Sequence, residues 1–358
     1  MNKARILFVF STDYGEIVNA DLFCKDQGFD VIGLFPEKNA KSDVDFCQQK
    51  HYFQNAQQIL DLVIESRPHL VVLASAYLLV INNVLDQTQL IHLISELKQY
   101  DCCLATTDPW MGYWRNHQAE SFNIHGIKDT QSRKAVESKI RSHQAELDHF
   151  LDDVWHLYAT AYVDPVRHSF SFFNRVSGFN SLPEKQDQVT LVLSNHDYTV
   201  QLRKYDTQFH LSLIRYINDV LQTTSSDVVL LIPHILFQQL KTALDNKRIK
   251  FLGRPDLSEF RTTIMSSRLV LYWNLVSASL LYAYYAKCHV AFLDIGHQAE
   301  LGDGFKEYIV QNVYQGIEPV YESLEASVVG KEFSYLEETS SESPAGFVAA
   351  INAAQRVD

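Results

Sequence analysis

Residues 251–301 read FLGRPDLSEFRTTIMSSRLVLYWNLVSASLLYAYYAKCHVAFLDIGHQAEL, and this stretch decides the fold. Two short apolar runs, Arg268–Tyr272 and His289–Asp294, have the length and the β-branched content of buried strands. Between them, Ser277–Lys287 carries apolar residues at helical spacing and has serines at its start. A strand, a helix and a second strand in such quick succession predict one parallel βαβ unit.

The loop that enters this helix contains Asn274, Ser277 and Ser279. A serine at a helix start often caps it, because its side-chain oxygen accepts from N–H groups that lack partners in the first turn. The same first turn presents N–H donors and the positive end of the helix dipole, which favour anions. Ligands of open parallel sheets also bind at the carboxyl ends of strands. The two serines are therefore either simple caps or part of a phosphate site.

Length and charge narrow the class of protein. A chain of 358 residues is long for one hydrophobic core and comfortable for two. The hydrophobic content of 46% indicates a packed globular protein. The net charge of −12 argues against nucleic acid as a partner, because such polymers are bound through dense Lys and Arg contacts. A single nucleotide held mainly by backbone donors is compatible with this charge.

The five cysteines are odd in number and form no CxxC pair, which predicts reduced thiols in a cytoplasmic protein. No run approaches 18 uninterrupted apolar residues, so we expect no membrane span. HExxH and zinc-spaced Cys/His clusters are absent, and Asp43 and Asp45 lie in a polar stretch typical of a solvated loop. GxGxxG and GxxxxGK[ST] are also absent. We therefore expect neither a metal nor a cofactor.

Strand and helix patterns alternate along the chain, which predicts α/β architecture with parallel sheets covered by helices on both faces. Residues 164–187 break the alternation with serine, asparagine, glycine and proline, and we interpret them as the crossing between two domains. The expected domains are 1–178 and 188–330. Residues 331–358 form a tail ending in a short helix, for which a return to the first domain is one option.

The second half of the chain carries a resemblance to a known family. A strand is followed by Gly253-Arg254-Pro255, then by MSSRLVLYW, a serine-rich helix start and AKCHVAFLD. In this order the chain resembles the GT-B class of glycosyltransferases. The resemblance implies two Rossmann-like domains facing across a cleft, with the acceptor mainly on the first and a nucleotide-sugar donor mainly on the second. It implies an enzyme that moves a sugar from a nucleotide diphosphate to a hydroxyl or amine without a metal.

Two alternatives of the same fold stay open. The loops after the first strand of each half contain fewer glycines than the family usually has, which favours a non-catalytic binding or scaffolding protein. A sugar-nucleotide epimerase shares the fold and is the other alternative.

The residues expected to bind the donor follow strands of the second half or begin its helices. They are Ser194, Asn195, His196, His234, Arg254, Asn274, Ser277, Ser279, Gln298 and Glu300. Arg254 would pair with a phosphate, and Glu300 lies where the family often contacts the ribose or the donor sugar. The structural alternatives are a surface turn for the 194–196 segment, a salt bridge for Arg254 and a solvated charge for Glu300.

Candidate catalytic groups follow two strands of the first half. An inverting transfer needs a base that takes the proton from the acceptor hydroxyl, and Asp13, Glu16 and Asp108 are the candidates. Asp13 is alternatively a helix cap, and Asp108 part of a rigid turn before proline. The aromatic residues expected to contact the acceptor are Tyr14, Trp110 and Trp114, which alternatively pack between loops.

Overall fold

The structure of the chain is a computed structural model. The residues it describes are 3–11, 14–37, 44–107, 131, 134–135, 138, 142, 146–159, 167–172, 182–194, 198, 207–244, 246–253, 255–273, 277–293, 331–332 and 343–355. The chain divides into two compact units. The first comprises Met1–Gln118, Glu137–Asn180 and Leu336–Asp358, and the second comprises Ala119–Val136 and Ser181–Tyr335.

The first unit is built on a seven-stranded sheet in which every neighbouring pair is parallel. In chain order its strands are β1 (Arg5–Val9), β2 (Asp30–Pro36), β3 (Gln49–Phe53), β4 (Leu70–Leu73), β5 (Cys103–Thr107), β6 (Trp155–Tyr158) and β7 (Ser169–Ser171). Their order across the sheet is β3-β2-β1-β4-β5-β6-β7. The direction of winding therefore reverses between β1 and β4, which makes this point the switch point of the sheet.

Five described helices belong to the first unit. They are α1 (Tyr14–Cys24), α2 (Ala56–Ser66), α3 (Ala76–Ile81), α4 (Gln87–Leu97) and α9 (Pro344–Gln355). The first helix is buried from Glu16 to Cys24, polar residues included. In α9, the Phe347 ring stacks on Phe170 with centroids 4.2 Å apart, and the N–H of Ala345 donates to Gln27. These contacts hold the final helix against the first unit.

The second unit contains a six-stranded sheet ordered β10-β9-β8-β11-β12-β13. Its strands are β8 (Gln186–Val192), β9 (Asp227–Leu231), β10 (Ile249–Phe251), β11 (Ser267–Tyr272), β12 (His289–Phe292) and β13 (Lys331–Glu332). The first five pair in parallel, and β13 pairs antiparallel with β12. The described helices are α5 (Thr207–Thr223), α6 (His234–Leu240), α7 (Leu257–Ser266) and α8 (Leu280–Tyr285).

The sequence-based fold class is confirmed at the level of these two sheets. The predicted βαβ unit is present as β11, α8 and β12, and Leu269 pairs with His289 in the parallel register. The inner strands are apolar on both faces, as parallel strands covered by helices require; Ile6–Val9 of β1 are fully buried. None of the described helices is long and apolar enough to cross a bilayer.

Candidate functional site

The carboxyl edge of the second sheet has its switch point between β8 and β11. The N–H of Trp273, just beyond β11, donates to Val192 O at the end of β8 (3.2 Å). Ser194 lies two residues beyond β8 and is exposed. The segment containing Ser277 and Ser279 follows β11 and leads into α8. Three of the predicted donor-binding residues therefore follow the two strands that flank the switch point, where ligands of open α/β sheets bind.

Of the two alternatives for these serines, simple capping by the side chain does not hold for Ser279. Ser279 is at the N-cap of α8, but its backbone is helical (φ −68°, ψ −14°) and its side chain makes no capping hydrogen bond. Its Oγ lies 2.8 Å from Ser277 Oγ instead. The backbone carbonyl of Ser279 accepts from the Tyr272 hydroxyl (3.0 Å), and burial raises the pKa of that phenol, which keeps it a neutral donor.

The N–H donors of the first turn of α8 are also engaged. Leu280 N donates to Ser277 O (3.0 Å), Leu281 N to Ala278 O (3.3 Å) and Tyr282 N to Ser279 O (3.1 Å). These are bonds between residues three apart, which tighten the end of a helix and satisfy its orphan groups. Anion binding by bare amides of this turn is therefore not available in this geometry. The side-chain hydroxyls of the two serines are therefore candidate groups for contacting a ligand.

Two further loops end at the same edge of the second sheet. His234 begins α6 directly after Pro233, beyond β9, and its imidazole is exposed. Gly253 follows β10, and a Cβ atom built on it would lie 3.4 Å from His234 Nδ1. His234 Nε2 lies 3.2 Å from Gln238 Nε2, so one ring nitrogen faces its own helix. The contact with Gly253 brings the ends of β9 and β10 together beside the switch point.

Trp273, which precedes the serine segment, packs into the core of the second unit. It is 1% exposed, and its ring meets Phe209 of α5 edge-on with centroids 5.3 Å apart. Its indole Nε1 is buried and has no hydrogen-bond acceptor among the described residues. The tryptophan therefore fixes the start of the loop through packing.

In the first unit, hydrogen bonds connect Ser11, which follows β1, to α1 and to the end of α3, which follows β4. The N–H of Ser11 donates to Glu16 Oε2 (2.7 Å), and Asn82 Nδ2 donates to Ser11 Oγ (3.2 Å). Glu16 is 1% exposed, whereas Tyr14 is 39% exposed. The buried carboxylate of Glu16 thus connects Ser11, two residues beyond β1, to the first turn of α1. Sequence reasoning missed Asn82, because nothing in the sequence indicates a contact between residues 71 positions apart.

Polar side chains also lie at the carboxyl ends of the neighbouring strands of the first sheet. Ser75 follows β4 and caps α3, since its Oγ accepts from Leu78 N (3.3 Å). Thr106 Oγ1 accepts from Ala76 N (3.1 Å). Thr107 Oγ1, at the end of β5, is buried and has no hydrogen-bond partner among the described residues. Asp108 is the next residue in the sequence and lies outside the described residues.

Several predicted site residues lie outside the described residues and stay predictions. They are Asp13, Asp108, Trp110, Trp114, Asn195, His196, Arg254, Asn274, Gln298 and Glu300. Within the described part of the chain, no group of three or more His, Cys, Asp or Glu side chains has the arrangement of a metal site.

The chain is similar to known proteins in structure but not significantly in sequence. No family model matches the chain, and no curated protein is significantly similar to it. Among solved structures, the UDP-GlcNAc 2-epimerase of Methanocaldococcus jannaschii, in complex with UDP-GlcNAc and UDP, is similar at a TM-score of 0.47. The sequences are 12% identical, and the match covers 98% of this chain and 99% of that one.

Two solved glycosyltransferases are similar to about the same degree. SsfS6 of Streptomyces sp. SF2575, complexed with thymidine diphosphate, has a TM-score of 0.45 and 10% identity, covering 99% of this chain and 96% of its own. UGT89C1 of Arabidopsis thaliana, complexed with UDP-L-rhamnose, has a TM-score of 0.48 and 10% identity, covering 99% and 94%. The similar structures thus include transferases and epimerases, and the likeness does not select between these activities.

Proposed function

We propose that the chain is an enzyme that uses a nucleotide-sugar donor and transfers its sugar to a hydroxyl or amine acceptor. The observation that carries the proposal is the strand order of the second sheet. Its winding reverses between β8 and β11, and polar groups follow both strands at that point, Ser194 beyond one and Ser277 with Ser279 beyond the other. A crevice of this kind is the usual place for a nucleotide in open α/β sheets.

In this proposal the hydroxyls of Ser277 and Ser279 donate to the diphosphate, which gains negative charge as the sugar leaves. The two serines now bond each other, so one hydroxyl has to rotate toward the ligand. Arg254 supplies positive charge to the leaving group, in place of a metal. Asp13 or Asp108 takes the proton from the acceptor. Because Glu16 Oε2 is already engaged with Ser11 N, we assign Glu16 to holding the loop that carries Asp13.

A thermal-shift screen with UDP, TDP, GDP and ADP tests the donor site. We expect one of them to raise the melting temperature, since ligands that bind only the native state stabilise it. The double variant Ser277→Ala with Ser279→Ala should lose most of that shift. Ser95→Ala is the matched control, because this serine bonds Ile91 O within α4 of the first unit. No shift with any of the four diphosphates would refute the proposal.

Mass spectrometry of the donor after incubation then separates the activities. Transfer releases the free nucleoside diphosphate and adds the mass of a sugar to an acceptor. Epimerisation leaves the mass of the nucleotide sugar unchanged and alters its chromatographic retention. Binding without either change would identify a non-catalytic protein of the same fold.

A further inference from the structure

The second unit contains a polar groove that the proposed donor site does not use. It has a volume of about 410 Å³, within the range of sites for small molecules. The groove runs between α7 and the sheet face formed by β8, β9 and β10. We call it the α7 groove, and its lining residues are Gln186, Gln188, Val229, Lys250, Asp256, Ser258, Glu259, Thr262, Thr263 and Ser266.

The strand register explains why this groove has an open side. Val229 of β9 pairs with Thr190 of β8 and with Lys250 of β10, so the three side chains form one row on the sheet face. Helix α7 covers this face near β8 and presents its polar side toward the row, with Glu259, Thr263 and Ser266 at helical spacing. The face over β9 and β10 is left as the floor of the groove.

The floor holds the side-chain amide of Gln188, whose oxygen has no hydrogen-bond donor among the described residues. Gln188 is 8% exposed, and its Nε2 points at Thr263 O (3.0 Å), Ser267 Oγ (3.0 Å) and Ser266 Oγ (3.4 Å). A carbonyl accepts only from a donor, so these contacts fix which end of the amide is the nitrogen. No described residue donates to Gln188 Oε1. Because no described residue occupies this oxygen, it can accept a hydrogen bond from a ligand in the groove.

The remaining lining groups indicate the chemical class of ligand that the groove can bind. Thr263 is 9% exposed, and its hydroxyl makes no hydrogen bond with the described residues. On the exposed rim, Lys250 and Glu259 lie 3.8 Å apart as an ion pair, beside Asp256. Val229 is the one apolar residue of the described lining. Carboxylates repel a phosphate, and the single valine offers little to an apolar molecule.

We propose that the α7 groove binds a small neutral saccharide. Sugar hydroxyls both donate and accept, so they can pair with the Gln188 amide oxygen, the Thr263 hydroxyl, the rim carboxylates and the Lys250 ammonium at once. The groove lies on a face of the sheet, whereas the proposed donor site lies at its carboxyl edge. This inference does not depend on the proposed function, and it assigns the chain a carbohydrate site apart from the proposed donor site.

Saturation-transfer NMR with the full chain tests the proposal, using D-glucose, N-acetyl-D-glucosamine and maltose as neutral probes and glucose 6-phosphate and glycine as charged ones. We expect at least one neutral probe to bind and to remain bound when UDP is added. Thr263→Val removes one hydroxyl at constant shape and should weaken binding about fivefold, as expected for one hydrogen bond. Glu259→Gln, on the exposed rim, should weaken it about threefold without affecting folding.

Thr223→Val is the matched control, because this threonine bonds Asp219 O within α5 and should leave saccharide binding unchanged. The proposal is overturned if no neutral probe binds, if only the charged probes bind, or if UDP displaces the saccharide. It is also overturned if Thr263→Val and Glu259→Gln both bind the saccharide as tightly as the unmodified chain. Loss of folding in Thr263→Val would leave Glu259→Gln to decide.

Discussion

Glu16 provides the sharpest test of how the first unit orders its candidate catalytic loop. Its carboxylate is 1% exposed and accepts from the N–H of Ser11 at 2.7 Å, and Ser11 itself is 3% exposed. Glu16→Ala removes the acceptor and leaves a buried N–H unsatisfied, at a cost of about 1–3 kcal/mol. The one lost methylene group contributes about 0.8 kcal/mol. We therefore expect the variant to lower the free energy of unfolding by about 2–4 kcal/mol.

Glu16→Gln separates the hydrogen bond from the charge. The amide oxygen can still accept from Ser11 N, so we expect a loss of about 1 kcal/mol or less. Urea unfolding followed by circular dichroism measures both changes. Hydrogen exchange of the Ser11 amide should be fast in Glu16→Ala and remain protected in Glu16→Gln. Glu65→Ala, an exposed acid of α2, is the control and should change stability by less than about 0.5 kcal/mol.

The same pair of variants distinguishes loop ordering from catalysis. If Glu16 orders the loop, Glu16→Gln keeps most of the activity, whereas Asp13→Asn or Asp108→Asn, whichever removes the base, loses most of it. Equal destabilisation by Ala and Gln, or an alanine variant as stable as the unmodified chain, would refute the role derived from the Ser11 contact. A folded Glu16→Gln variant without activity would identify Glu16 as the base.

Three further changes test the packing of the first unit. Gly33→Ala should lower the free energy of unfolding in urea by about 1–3 kcal/mol, because the added Cβ would lie 2.7 Å from the Phe35 ring and 2.8 Å from Cys47 Sγ. An alanine variant of normal stability would contradict this packing. Burial raises the pKa of Cys102 to about 11, so its contribution to stability is present below pH 9 and is lost between pH 9 and 11. Cys102→Ala should therefore flatten the alkaline decline in unfolding free energy, and an unchanged slope would contradict the shift. Arg167→Met should lower stability by about 1–3 kcal/mol, because the buried guanidinium pairs with two aspartates that stay partly exposed. Thermal unfolding measures the change, and an unchanged melting temperature would show that these ion pairs do not stabilise the fold.

The alternation of apolar strands and helices was predictable because both sheets are parallel and buried on both faces. The runs around Leu271 and Ala291 are apolar enough to be recognised as strands without any tertiary information. Edge strands lack this signal: β3 reads QKHYF and is mostly exposed, and β7 lies inside the segment interpreted as a crossing between domains. Short elements at a sheet edge are decided by pairing partners, which a local pattern does not contain.

The places of the candidate residues relative to the strands were predictable, and their hydrogen bonds were less so. Residues that follow buried strands lie at the carboxyl edge by the geometry of a parallel sheet, which places Ser194, His234 and Ser277 correctly at that edge. An N-cap side chain bonds the first turn when its own backbone is not helical. Ser279 has a helical φ and ψ, so its side chain does not cap α8. The tie between Asn82 and Ser11 joins two loops that are neighbours only because β1 and β4 pair.

A crystal structure of the chain with the nucleoside diphosphate that gives the largest thermal shift is the most direct test of the donor site. We predict density for the diphosphate at the carboxyl ends of β8 and β11, with a phosphate oxygen within hydrogen-bond distance of Ser277 Oγ or Ser279 Oγ. Density at any other place on the second unit, with both serine hydroxyls still bonded to each other, would contradict it.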